Sequence, residues 1–216
     1  MLDSLLLLSG NDIPFVKANL TIHNPTLKEI GYVGEENFLN GYQLLNVSKN
    51  FLPEQDKVNL DVISNFDILI AILRERNAVM QRNRNCVEMV LALIFPWYTI
   101  DITSDAIVLE KEEERHLINN DNFETFKTIF NMMFSFSKDE SRDYNPSGEV
   151  AKRIAEKLKQ RHQKLAELKE GKQKIDILSR YVSILAVGEH KDMNSLLNLS
   201  VYQLFDEFER FKLKMS

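Results

Sequence analysis

Apolar residues recur at three- and four-residue steps along most of the chain and at two-residue steps in only a few places. That pattern predicts an α+β protein, predominantly α-helical. Leu20-Thr21-Ile22 alternates like a short strand, and Pro25-Thr26 then opens a helix. Thr26 and Glu29 have the spacing of a capping box, in which hydroxyl and carboxylate satisfy each other's backbone amides. After Gly31 and Gly34 a second helix runs from 35 to about 47, with Phe38, Tyr42 and Leu45 facing inward. Ser64 starts a third, carrying Phe66, Ile68, Leu69, Ile72 and Leu73, and a fourth spans roughly 78–95 up to Pro96.

The period then switches to two. Residues 98–102 and 106–109 flank Ser104-Asp105 as a β-hairpin, and 115–118 adds a third short strand after an acidic turn, a hairpin or meander in all. Asp121 with Glu124 is expected to cap a helix from Phe123 to about Phe134. The polar stretch 135–148 ends in Asn145-Pro146-Ser147-Gly148 and reads as a linker. The expected division is an α+β unit over 1–136, a linker over 137–148 and a C-terminal helical unit over 149–216.

From Glu149 to Lys174 nine Lys or Arg face four Glu, a local balance of +5 inside a chain of net charge −5. Ala151, Ile154, Leu158, Leu165 and Leu168 form a narrow stripe of about two and a half heptads. Three uses stay open: a solvated helix with one core-facing stripe, a seam for another protein's helix, or a nucleic-acid contact. Basic residues circle this helix with no aromatic residue between them, which disfavours base stacking. Further on, Ile175, Leu178, Tyr181, Val182 and Leu185 make one stripe. Ser200 with Gln203 repeats the capping-box spacing, and Tyr202, Phe205, Phe208 and Phe211 follow at three-residue steps. Core packing of two helices explains that ladder. A part left exposed would receive a partner or promote self-association.

Composition narrows the picture. Seven Gly and five Pro in 216 residues favour long regular elements, and the acidic balance gives no global pull toward nucleic acid or anionic membrane. A single cysteine, Cys86, fits a reducing compartment. The apolar runs, Leu5 to Leu8 and Met89 to Tyr98, are short of a membrane span, and Asp3 stands where a leader would be basic, so a cytoplasmic protein is expected. His23, His116, His162 and His190 are scattered, and His23 before Asn24-Pro25 reads as a turn residue. Cys86 reads as an inert, semi-buried thiol. Asp101, Asp105 and the acids at 112–114 read as a solvated turn, with a metal-dependent hydrolase as the rival reading. No enzyme, cofactor or metal site is expected.

Two blocks carry a family resemblance. Tyr144-Asn145-Pro146-Ser147-Gly148-Glu149 with Ala151-Lys152-Arg153-Ile154-Ala155-Glu156-Lys157 is one. Leu178-Ser179-Arg180-Tyr181, running on to Ala186-Val187-Gly188, with Leu199-Ser200-Val201-Tyr202-Gln203-Leu204-Phe205 is the other. Asn24 to Gly31 and Ile118 to Phe123 are similar in style. This text resembles tail-region proteins of long-tailed bacteriophages, the tail assembly chaperones in particular. The resemblance implies a helper in the host cytoplasm that binds and solubilises the tape measure protein before tail tube subunits polymerise around it. It supplies no catalytic residues. The expected partner-binding residues, Ile154, Leu158, Leu165, Leu168, Tyr202 and Phe205, come from periodicity alone. A structural tail or baseplate component and a nucleic-acid-binding regulator are the rival readings.

Overall fold

The computed structural model describes residues 4–48, 63–74, 78–134 and 177–215. All of them belong to one compact unit made of Met1–Ser135 and Asp176–Ser216. The helices of 177–215 therefore share a body with the N-terminal half, whereas the expected linker at 137–148 and the basic helix at 149–174 lie outside the described residues. The architecture is helix-dominated α+β, with two small antiparallel sheets.

The chain opens with α1 (Ser4–Leu8) and a two-stranded sheet of β1 (Ile13–Phe15) and β2 (Leu20–Ile22), joined by a 3-10 turn at Val16–Ala18. Both strands alternate buried, exposed, buried, so one face of the ribbon lies on the core. The β2 alternation matches the expectation from sequence. Its partner β1 is too short, and too interrupted by Pro14, to announce itself as a strand. Next come α2 (Leu27–Val33) and α3 (Glu35–Leu45), hinged at Gly34, whose φ of +89° suits glycine. The Thr26 capping box is complete: Glu29 N–H donates to the hydroxyl at 3.3 Å, and Thr26 N–H donates to the Glu29 carboxylate at 2.7 Å.

Helices α4 (Asn65–Arg74) and α5 (Ala78–Ile94) follow, close to their expected limits. Ser64 and Asp67 cap α4 reciprocally. A three-stranded meander comes next, ordered β3 (Thr99–Ile102), β4 (Ile107–Lys111), β5 (Glu114–Ile118). Central β4 buries Ile107, Val108 and Leu109 in succession, as a strand covered on both faces does. Lys111 pairs with Glu114, leaving Glu112 and Glu113 as a two-residue turn with Glu112 at φ +55°.

Helix α6 (Phe123–Met133) starts differently from the expected Asp121/Glu124 cap. Asn122 flanks the helix, and its buried side chain closes the preceding turn instead, donating to Leu117 O and accepting from Asn119 N–H. Glu124 turns outward and accepts from Asn65 Nδ2 at 2.7 Å. Along α6 the i, i+3 and i, i+4 spacing lines up Phe123, Phe126, Phe130 and, just past its end, Phe134. Successive ring centroids lie 4.9–6.2 Å apart. Phe15, Phe38 and Phe95 join this column from β1, α3 and the end of α5, giving the core an aromatic spine.

The C-terminal part adds α7 (Ile177–Gly188), α8 (Met193–Leu197) and α9 (Val201–Met215). The Ser200/Gln203 capping box forms as its spacing predicts, with distances of 2.8 and 3.3 Å. Thr26 and Ser200 form an antiparallel bridge, and Leu27 N–H donates to Leu199 O at 2.8 Å. The starts of α2 and α9 are thereby joined.

Helices α3 and α5 touch closely at Gly41. A Cβ there would lie 2.5 Å from the Cys86 carbonyl oxygen and 2.6 Å from Val90 Cγ2. On helix propensity alone Gly41→Ala would gain about 1 kcal/mol. The steric conflict outweighs that gain, and a net loss of about 1–3 kcal/mol is expected. Urea unfolding midpoints of the two proteins check it.

Candidate functional site

Tyr202 and Phe205 are the two expected partner residues whose positions are described. Ile154, Leu158, Leu165 and Leu168 lie outside the described residues. Both aromatics sit on α9, three residues apart and half-buried. Phe205 meets the Tyr181 ring edge-on at 5.1 Å, and Phe208 meets the same ring at 4.4 Å. Phe211 continues the ladder at 6.3 Å from Phe208 and presses against Gly188, where a Cβ would lie 2.5 Å from Phe211 Cζ. A glycine at the end of α7 is what lets the two helices close there. Of the stripe predicted for α7, Leu178, Val182 and Leu185 are buried and Tyr181 is half-buried, while Ile175 lies outside the described residues. On α9 the buried positions are Val201 and Leu204, which the predicted three-residue ladder did not include. Apolar side chains remain at the margins, with Val187 77% exposed and Ile177 and Met193 also exposed.

Charged groups pin this helical layer. Glu189, just past α7 and 7% exposed at its side chain, takes Lys214 Nζ at 2.5 Å and Lys191 Nζ at 3.0 Å. Lys191 also contacts Glu207. Hydrogen bonds from Lys214 and then Lys191 hold the Glu189 carboxyl down at about 2, against the upward push of burial. The start of α7 is held by a distant residue, since the Glu35 carboxylate accepts from Leu178 N–H and from Ser179 N–H (3.2 Å) and Oγ (2.6 Å). Glu35 belongs to α3, 143 positions earlier in the sequence, so no local spacing rule could have found this cap.

A second cluster surrounds His23, at the exit of β2. Its Nδ1 lies 2.8 Å from Asp12 Oδ1 and its Nε2 lies 3.2 Å from Glu29 Oε1. The Trp97 ring stands at 72° to the imidazole with centroids 5.8 Å apart. The histidine is thus tied on both nitrogens, a role that the turn reading from sequence did not contain. His116 on β5 has Nδ1 3.1 Å from Ala18 O, which places the ring proton on that nitrogen, since a carbonyl only accepts.

The other reactive side chains sit in ordinary surroundings. Cys86 is buried, burial raises its pKa, Arg82 pulls it down and Glu36 pushes it up. An apolar setting of this kind suppresses the thiolate, in line with the inert reading. Asp101 is exposed on β3, and exposed Asp105 accepts from Thr103 Oγ1 at 3.0 Å within the β3–β4 turn. Among the described residues no group of three or more His, Cys, Asp or Glu is placed to hold a metal ion, and no helix is long and apolar enough to cross a membrane.

Compared with known proteins, the chain matches no family model, no curated protein and no solved structure.

The Glu189 network has a testable pH signature. A carboxylate held below its ordinary value adds stability above its unfolded-state pKa and loses it as pH falls through the folded value. Glu189→Gln is therefore expected to be less stable than the parent at neutral pH. The gap should persist down to the ordinary carboxyl value of 4.5 and vanish as pH approaches about 2. High salt should shrink it. Urea midpoints of both proteins across that pH range measure it.

Proposed function

We propose that this chain is a binding protein for a helical client, acting as a phage tail assembly chaperone that keeps the tape measure protein soluble before the tail tube forms. The observation that carries the reading is the C-terminal helical layer. Its aromatic ladder (Tyr181, Phe205, Phe208, Phe211) is locked internally, while Ile177, Val187 and Met193 stay exposed along its margins. Apolar side chains at the edge of a rigid helical layer suit the ridge of an incoming amphipathic helix. The same helices carry one of the two text blocks that resemble tail-region proteins. The other block contains Ile154 and ends just before Leu158, and the stripe of Ile154, Leu158, Leu165 and Leu168 supplies the second half of the contact. The action is binding without catalysis, in the host cytoplasm, with tail tube subunits entering after the client is coated.

Co-expression with the longest coiled-coil-rich protein of the same genome tests this. The expected outcome is that the long protein becomes soluble and co-purifies only when this chain is present. Val187→Lys with Met193→Glu should abolish co-purification and leave the thermal melt unchanged, because each substitution sets an exposed charge at the helix end that favours it. Leu158→Asp with Leu165→Asp should do the same through the stripe. A long protein that stays insoluble and unbound overturns the reading. Recovery of this chain at fixed copy number in purified particles would then identify it as a structural tail component.

A further inference from the structure

We propose that His23 is a proton-dependent tie between the β1–β2 ribbon and the start of α2. The imidazole lies between two carboxylates, with Nδ1 2.8 Å from Asp12 Oδ1 and Nε2 3.2 Å from Glu29 Oε1. A neutral ring has one N–H and one lone pair, so it donates to one carboxylate and turns a lone pair toward the other. Only the imidazolium donates to both. Histidine as a residue type exchanges this proton between about pH 5 and 8.

What makes the ring more than a local ion pair is what the same two carboxylates also hold. Asp12 Oδ1 accepts the backbone N–H of Asn24 at 3.2 Å, and Glu29 Oε2 accepts the backbone N–H of Thr26 at 2.7 Å. The ring proton is thereby connected to one amide just past the exit of β2 and to another at the N-cap of α2. Thr26 in turn bridges Ser200, so the second amide lies on the seam that joins α2 to α9.

Among the described residues, the charged groups facing the ring are Asp12, from the turn before β1, and Glu29, from α2. From the turn after α5 it meets Trp97, which carries no charge, and the backbone N–H of His23 donates to the carbonyl of Ile94 at the end of α5. Burial pushes the Glu29 carboxyl up, but hydrogen bonds from Thr26 and His23 bring it below its ordinary value of 4.5. Glu29 therefore stays ionised while the ring gains its proton. The imidazolium holds both carboxylates by donation, and the neutral ring holds only one of them so, with a lone pair turned toward the other.

NMR of the full chain tests this by following the ring nitrogens of His23 and the exchange protection of the Asn24 and Thr26 amides, each corrected to its intrinsic rate at that pH. Protection at both amides is expected to fall several-fold as pH rises from about 5 to 8, with the same midpoint as the ring. His116→Gln should leave that profile intact, and His23→Gln should flatten it. Asp12→Asn gives the neutral ring a partner that donates, so it too should flatten the profile, and it serves if His23→Gln does not fold. Protection that ignores the ring proton, or that keeps its pH dependence in the variants at 12 and 23, overturns the proposal.

Discussion

The start of α2 and the start of α9 are joined by a single antiparallel bridge, Thr26 to Ser200, with Leu27 N–H on Leu199 O beside it. Each helix start leaves backbone amides without a helical partner, and here each is closed by a capping box on its own residues. The N–H groups of Thr26 and Ser200 are committed to the caps and their carbonyls to the first helical turns, so the pairing between them is carried by their neighbours, with Leu27 N–H on Leu199 O. Gln203 extends the seam by donating from Nε2 to Leu8 O at the end of α1. Three remote parts of the chain, α1, α2 and α9, therefore meet where their backbone polar groups would otherwise go unpaired inside the body.

Around that seam the body is organised by aromatic packing. The column on α6 gathers rings from β1, α3, α4 and the end of α5, and Tyr42 adds its hydroxyl on Asn131 Oδ1 at 2.8 Å. Burial pushes that phenol up to about 12, so it stays a neutral donor throughout the accessible pH range. The C-terminal ladder repeats the device on a smaller scale, with Tyr181 as the ring that Phe205 and Phe208 share. In both places aromatic rings at helical spacing carry the packing, and charge is confined to the margins.

Local rules read well from the sequence, and long-range ones did not. The capping boxes at Thr26/Glu29 and Ser200/Gln203, the start at Ser64, the meander and the inner stripe of α7 all follow from spacing within a few residues. The wrong cap at Asp121 shows the limit of that reasoning. A Ser, Thr, Asp or Asn near a helix start is a good acceptor, but Asn122 had a competing turn to close. The Thr26–Ser200 bridge, the Glu35 cap on α7 and the Asp12–His23–Glu29 cluster depend on which surfaces meet. No periodicity encodes that. Of the expected partner residues, Tyr202 and Phe205 were legible as an aromatic ladder. That Phe205 shares the Tyr181 ring with Phe208 was not.

Because Met1–Ser135 and Asp176–Ser216 belong to one compact unit, the span between them begins and returns at the same body. For a flexible closed loop in general, doubling the length costs only about 0.6 kcal/mol in closure entropy. The bridge, the Glu35 cap and the Glu189 network are each built from residues of this body. Sequence between 135 and 176 could therefore be lengthened, shortened or rewritten without touching any of the contacts that close this body.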